Sequence, residues 1–312
     1  MISLERKCAM KITLERSESR ELLIMRNLNA RMALSSSDKK NYFNMEKGYE
    51  GEVQFDALLA EELKRDCLAF QGLRLDPDSN EFQIDTVLHF KETIYLIDVK
   101  NYEGEYYYNS KGLFIKNGNE VKDPLIQLKR CLSLFRQFLA KNGFTFTVEA
   151  CVLFINPEFT LYQAPLNEPI ILPTEIPRFL KKLNCLPSNL SIKHEKLANL
   201  MVSKNLPTSR FATIPSYKYN ELEKGQRCFV CGSLCTVSRE NRIVCEKCDH
   251  REKIDLAIIR SVEEIKLLFP ERKITTCLVQ EWCNGIVNKK RIAKILKENL
   301  NLKGYGQWTY YE

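Results

Sequence analysis

The chain has 312 residues, 44% of them apolar, and carries 47 Lys and Arg against 40 Asp and Glu for a formal charge of +7. That length fits one to three domains with packed cores. No run approaches 18 apolar residues and Met1–Lys11 has no continuous apolar segment, which excludes a membrane span and a signal peptide, so the twelve cysteines point to a reducing, cytoplasmic setting and away from a disulfide scaffold.

The charge is uneven. Residues 1–45 carry 9 basic against 5 acidic side chains, residues 225–312 carry 16 against 11, and the stretch between them is left at about −2. An acidic centre between basic ends suits a metal site flanked by arms that meet a polyanion. Cys8, Cys67, Cys131, Cys151 and Cys185 are scattered singly and read as packing residues.

Residues 17–34 read as a short amphipathic helix packing on the domain that follows, and Ser35–Lys40 as a polar connector. A helix is predicted over Tyr49–Lys64, where Glu52, Phe55, Leu59 and Leu63 fall at spacings of three, seven and eleven. One stripe then holds a carboxylate beside three core residues, at the inner edge of the core.

Two β-branched, aromatic-rich runs follow, Phe82–Phe90 and Thr93–Asn101, broken by Lys91-Glu92. This is an antiparallel hairpin pattern. With a two-residue turn, partners sum to 183, so Asp85 is expected opposite Asp98 and Gln83 opposite Lys100, all four on one side. Opposed carboxylates with Cβ atoms ~5 Å apart repel. A divalent cation taking oxygen ligands from both supplies a reason for them, and Lys100 beside it can hold a water or the charge growing on a phosphate.

Tyr106–Tyr108 and Leu113–Ile115 read as a further strand pair, its alternate tyrosines in the core. Asp123-Pro124 is an N-cap followed by proline at the first helical position, opening a helix to about Lys141 with Leu125, Leu128, Leu132, Phe135 and Leu139 on its buried stripe. Gln127 in its first turn either orients water or phosphate or caps the helix. Val148–Asn156 reads as a buried strand, Pro169–Leu172 as a short one, Ile176–Leu183 and Ser191–Lys204 as helices, and Pro207–Lys224 as a linker.

Asp85 with Asp98-x-Lys100 on adjacent strands resembles the PD-(D/E)xK nuclease core. Gly48-Tyr-Glu-Gly51-Glu52, Phe82-Gln-Ile-Asp85-Thr86, Asp98-Val-Lys-Asn101 with Gly104, and Asp123-Pro-Leu-Ile-Gln127 resemble the nuclease-related domain (NERD) family over about Arg20 to Leu183. The family usually carries Glu at the position of Asp98, for which Asp is a shorter alternative. The resemblance implies an α/β (α+β) restriction-endonuclease-like core, a mixed sheet flanked by helices. It also implies phosphodiester cleavage with Mg2+ or Mn2+ held by Glu52, Asp85 and Asp98, with Lys100 and Gln127 completing the catalytic set.

Cys228-Phe-Val-Cys231 and Cys245-Glu-Lys-Cys248 are two C-x-x-C knuckles around a strand-turn-strand segment, the pattern of a zinc ribbon whose closed four-thiolate site is structural. The tail, Ser261–Glu312, has three helical stretches and a glycine-turned hairpin at Lys303–Gln307, a winged-helix-like pattern. Its third helix carries Lys289, Lys290, Arg291, Lys294 and Lys297 against an Ile292/Ile295/Leu296 stripe. With Lys303 on the wing, these cations are the expected contacts to nucleic acid, DNA above all.

The expected domains are therefore 1–45, an N-terminal helical extension; 46–186, the nuclease-like domain; 187–224, a helix and linker; 225–256, the ribbon; and 257–312, the winged-helix-like domain. Two functions fit: a metal-dependent nuclease with a DNA-binding tail, or a non-catalytic DNA-binding protein built on an inactive nuclease fold.

Overall fold

The computed structural model describes residues 10–312, so Cys8 lies outside the described part. Two compact units emerge, one made of residues 10–18 and Met45–Ser209, the other of Ser19–Asn44 and Arg210–Glu312. In chain order come β1 (Lys11–Leu14), α1 (Arg20–Arg31), α2 (Ser36–Glu62), β2 (Leu68–Leu75), β3 (Phe82–His89), β4 (Thr93–Lys100), β5 (Gly104–Asn109), β6 (Gly112–Ile115) and β7 (Glu120–Val121). They are followed by α3 (Pro124–Lys141), β8 (Thr147–Phe154), β9 (Phe159–Tyr162), β10 (Ile170–Ile171), α4 (Ile176–Asn184) and α5 (Ile192–Lys204). The remainder holds β11 (Thr236–Arg239), β12 (Arg242–Cys245), β13 (Arg251–Lys253), α6 (Ile254–Leu268), α7 (Thr276–Trp282), α8 (Lys289–Asn299), β14 (Leu302–Lys303) and β15 (Tyr310–Tyr311).

The first unit is the expected mixed sheet flanked by helices, with strand order β1-β2-β3-β4-β8-β10. β2, β3 and β4 run antiparallel, and β8 joins β4 in parallel. Central strands apolar on both faces need a layer on each side. Phe55, Leu59 and Leu63 of α2 with Phe179 and Leu183 of α4 cover one face, and Phe135 and Leu139 of α3 with Leu197 and Met201 of α5 cover the other. The expected cap of α3 is present: Asp123 accepts from the Leu125 amide at 2.9 Å and from the Tyr108 hydroxyl at 2.9 Å. Tyr106 and Tyr108 point into the core, and Tyr107 stacks on Phe114. Cys67, Cys131 and Cys151 are core residues, whereas Cys185, read as packing, is exposed because it caps α4 on its outer side.

Three expectations fail. The stretch Ser35–Lys40 is not a connector, because α2 begins at Ser36. The Asp38 amide donates to Ser35 Oγ at 3.1 Å, and that hydroxyl donates to the Asp38 carboxylate at 2.6 Å, a Ser-x-x-Asp start signal hidden by the polarity of the segment. Helix α1 belongs to the compact unit formed with the C-terminal residues. Ile24 and Leu28 enter a core with Ile258, Val262 and Trp282 of the second unit. Finally, the linker ends early, because Tyr219 and Leu222 are buried in that same core.

In the second unit, α6, α7 and α8 pack through Ile265, Trp282, Ile292 and Leu296, and the β14–β15 hairpin extends from α8 with Tyr311 bridged to Ile274. Arg31, the last residue of α1, is fully buried. Its Nε donates to Glu264 at 2.7 Å, its Nη1 to the Glu223 carbonyl at 2.7 Å and its Nη2 to the Gly225 carbonyl at 3.0 Å, with the guanidinium 4.1 Å above the Trp282 ring. Arg31→Ala strands Glu264 and two carbonyls in the core. It should lower the unfolding free energy of this unit by roughly 3–5 kcal/mol, read as a lower urea midpoint.

Candidate active site and metal centre

The hairpin register is the expected one, with Thr86 paired to Ile97 and the turn closed by the Phe90 amide on the Thr93 carbonyl at 2.9 Å. Beyond Thr86 the β3–β4 ladder stops. Gly72, opposite Asp85 on β2, has φ +75° and is skipped by the β2–β3 ladder, and on both strands the apolar alternation changes face there, from Phe70 to Leu73 and from Ile84 to Val87. Asp85 is freed by this break. Its carboxylate takes the place of a ladder carbonyl, accepting from the Val99 amide at 2.9 Å.

Asp98 and Lys100 lie on one side of β4. Lys100 Nζ donates to Asp98 Oδ1 at 2.9 Å and sits 2.8 Å from Oδ2 without a hydrogen-bonding angle, so Oδ2 is a buried acceptor with no donor. Burial, then the neighbouring Asp85, raises the Asp98 carboxyl to about 7, against the pull of Lys100. Burial works against the Lys100 charge, but Asp98 and Asp85 outweigh it and the ammonium is held above its ordinary range.

Glu52 reaches the same cluster from α2. Gly51 allows the approach: a Cβ there would sit 2.6 Å from Asn101 Cβ. Asn101 fixes the contact, donating to the Lys47 carbonyl at 2.8 Å while its Oδ1 accepts from Asn156 at 3.1 Å. Burial and Asp85 raise Glu52 to about 8, although Arg16 and Lys100 pull it down. With both carboxyls titrating above their unfolded range, the folded chain binds more protons than the unfolded one from about pH 4 upward. Stability from these groups is therefore present at low pH and lost as pH rises through about 7 and 8, so the melting temperature without added divalent ions should fall over that window. Asp98→Asn, which has no charge to bury, should flatten the fall in a thermal-melt series.

One of the sequence expectations does not survive, and one of two open roles narrows. Gln83 does not face Lys100: past the end of the β3–β4 ladder its side chain turns to β2 and accepts from Arg74 at 2.6 Å. Gln127 is half-buried in the first turn of α3 and makes no hydrogen bond to a described residue; the cap belongs to Asp123. Two residues of the cluster carry no sequence signal. Arg16, between β1 and α1, donates to Glu52, to Asp56 at 2.5 and 3.1 Å, to the Asp85 carbonyl at 2.8 Å and to Thr86 at 3.3 Å. Asp56 stands one helical turn beyond Glu52 on α2, and only its i+4 spacing could have suggested it.

For a divalent ion, the donor chemistry fits at Asp85 and Asp98: two neighbouring carboxylates, Asp85 half-buried and Asp98 buried, with Asp98 Oδ2 accepting no hydrogen bond among the described residues. Glu52 is drawn to Arg16, and among the described residues the oxygens of Glu52, Asp85 and Asp98 do not converge into a three-ligand set.

The four knuckle cysteines do converge. The sulfurs of Cys228, Cys231, Cys245 and Cys248 all lie within 4.8 Å of one another, with Cys228–Cys248 at 3.7 Å and Cys231–Cys245 at 3.5 Å. A sulfur tetrahedron with Zn–S ~2.3 Å has edges of ~3.8 Å, so the set can hold zinc as it stands. Cys235 is exposed and outside it.

On α8, Lys289, Lys290 and Lys294 are exposed, and Lys294 pairs with Glu298 at 3.7 Å. Arg291 is turned inward, donating to Asn241 at 2.6 Å with Asp255 at 3.5 Å. Lys303 on β14 is exposed, and Tyr305 (92% exposed) and Trp308 (76%) stand out from the same hairpin. No helix among the described residues is long and apolar enough to cross a membrane.

Compared with known proteins, residues 47–155 match the family model of the nuclease-related domain. No curated protein and no solved structure matches the chain. The matched segment runs from the start of the Gly51 approach to the end of β8 and contains Glu52, Asp85, Asp98 and Lys100. The chain thus carries, over residues 47–155, a segment that matches the nuclease-related domain.

Proposed function

We propose that this protein is a metal-dependent nuclease that hydrolyses phosphodiester bonds of nucleic acid, DNA in the first place. The observation that carries the reading is the cluster of half-buried Asp85 and Lys100 with buried Asp98 at the point where the β3–β4 ladder opens. Asp85 and Asp98, with Glu52 beside them, would hold Mg2+ or Mn2+. Such an ion neutralises phosphate charge and acidifies water near it. Lys100, held charged by its carboxylate neighbours, faces the negative charge that grows on the phosphate as it is attacked. Glu52, titrating near 8, can accept the proton of the attacking water once it is ionised, so cleavage should speed up as pH rises through about 8. Gln127 is kept as a candidate for orienting water, since its amide has no other partner among the described residues.

The C-terminal part is read as a zinc ribbon (225–256) followed by a winged-helix-like domain (257–312) that binds DNA. Exposed Lys289, Lys290, Lys294 and Lys303 make the phosphate contacts, with Arg291 serving instead to tie α8 to the ribbon turn. A second reading, a DNA-binding protein on an inactive nuclease scaffold, is favoured by the hold of Arg16 on Glu52.

The zinc-loaded protein incubated with plasmid and short duplexes, with Mg2+ or Mn2+ and with EDTA, separates the two. Metal-dependent cutting that disappears in Asp98→Ala is the expected result. A retained mobility shift without cutting under any metal would establish the scaffold reading.

A further inference from the structure

We propose that Arg16 is the built-in second cation of this site, filling the place a second metal ion would need, so that the site takes a single divalent ion. The inference rests on the metal-dependent nuclease reading and specifies how that site is charged. The Arg16 side chain is only 5% exposed, and its Nε, Nη1 and Nη2 all donate: to both Asp56 oxygens, to Glu52, to the Asp85 carbonyl and to Thr86.

It is fixed from behind as well. Its amide donates to Gln71 Oε1 at 3.1 Å, and β1, just before it, is paired in parallel with β2 at Lys11, Ile12 and Leu14. A guanidinium held this way is a permanent part of the site and not a lid. It does for Glu52 and Asp56 what a metal does for paired carboxylates, because it cancels their repulsion and fixes their oxygens in a bidentate geometry.

The charge balance points the same way. With every carboxyl ionised, as ion binding requires, Glu52, Asp56, Asp85 and Asp98 bring four negative charges, and Arg16 and Lys100 return two positive ones, which leaves −2. One divalent ion brings the cluster to neutrality. Two would leave +2 in a buried place, where uncompensated charge is strongly disfavoured. The geometry agrees, since Glu52 is turned to Arg16 and the three carboxylates form no joint ligand set among the described residues.

The test is a count of ions. Zinc-loaded protein is titrated with Mn2+ and followed by calorimetry and electron paramagnetic resonance, with Asp98→Ala as the blank for binding outside the site. The expected result is one site-specific Mn2+ in the wild type, without a spin-coupled pair. Arg16→Met should take two with a coupled-pair signal, while Arg16→Lys, which keeps the charge, should stay at one. A coupled pair in the wild type, or a single ion in Arg16→Met, overturns the role of Arg16 and leaves the nuclease reading standing. No site-specific Mn2+ in the wild type overturns both. Should Arg16→Met fail to fold by circular dichroism, Arg16→Gln, which keeps a hydrogen-bond donor but removes the charge, replaces it with the same two outcomes.

Discussion

Replacing Lys100 with alanine should lower the rate of DNA cleavage by about 10²–10³-fold, the loss seen when one preorganised electrostatic donor is removed from a buried site. The ammonium is paired with the Asp98 carboxylate and is not itself a metal ligand, so its loss would remove stabilisation from the reacting phosphate and leave the ligands in place. Mn2+ affinity should accordingly hold or tighten, because the carboxylates lose a competing cation. Asp98→Ala should differ, losing cleavage and metal binding together. Single-turnover rates and Mn2+ titrations on the two variants check this. Equal loss of metal binding in both would make Lys100 a structural partner of Asp98 and no more. Neither change should unfold the domain, since without Lys100 the Asp98 carboxyl, already raised to about 7, can take up a proton.

Removing zinc should have the larger effect on structure. The three strands β11, β12 and β13 bury little beyond Ile243, Val244 and Cys245, far too little apolar area to order a segment that starts at the first knuckle. Zinc at four thiolates, worth roughly 10–16 kcal/mol in small structural sites, then supplies the folding free energy of the ribbon. Stripping it with a strong chelator, or Cys245→Ser, should open residues 226–253 to proteolysis while the sheet of the first unit keeps its circular dichroism. A metal assay should find one zinc per chain, unchanged in Cys235→Ser. Loss of zinc in Cys235→Ser would put the spare cysteine in the ligand set.

Much of this was legible because it is written in short-range patterns. The polar pair Lys91-Glu92 between two apolar runs fixes the register that brings Asp85 and Asp98 together, and knuckle spacing fixes the sulfur tetrahedron. The Asp123-Pro124 start and the Ile292/Ile295/Leu296 stripe are similarly local. What stayed hidden is long-range. Arg16 meets partners 36 to 70 positions away, and Arg31 meets Glu264 across 233, with no periodicity to announce either. Gln83 was misplaced because a constant register says nothing about where two strands part; that depends on the left-handed Gly72 of a third strand.

The pairing of α1 with the last hundred residues also sets the order in which this chain can be made. Ile24, Leu28 and Arg31 leave the ribosome early, and their companions Ile258, Glu264 and Trp282 are synthesised more than 200 residues later. Through most of synthesis the helix has a bare apolar face and an unmatched cation, a demand for protection that local contacts cannot meet. Cutting the chain back to residues 10–209, which keeps α1 and drops its partners, would leave that face bare for good, so an aggregating fragment would report on α1 and not on the fold of the nuclease-related domain.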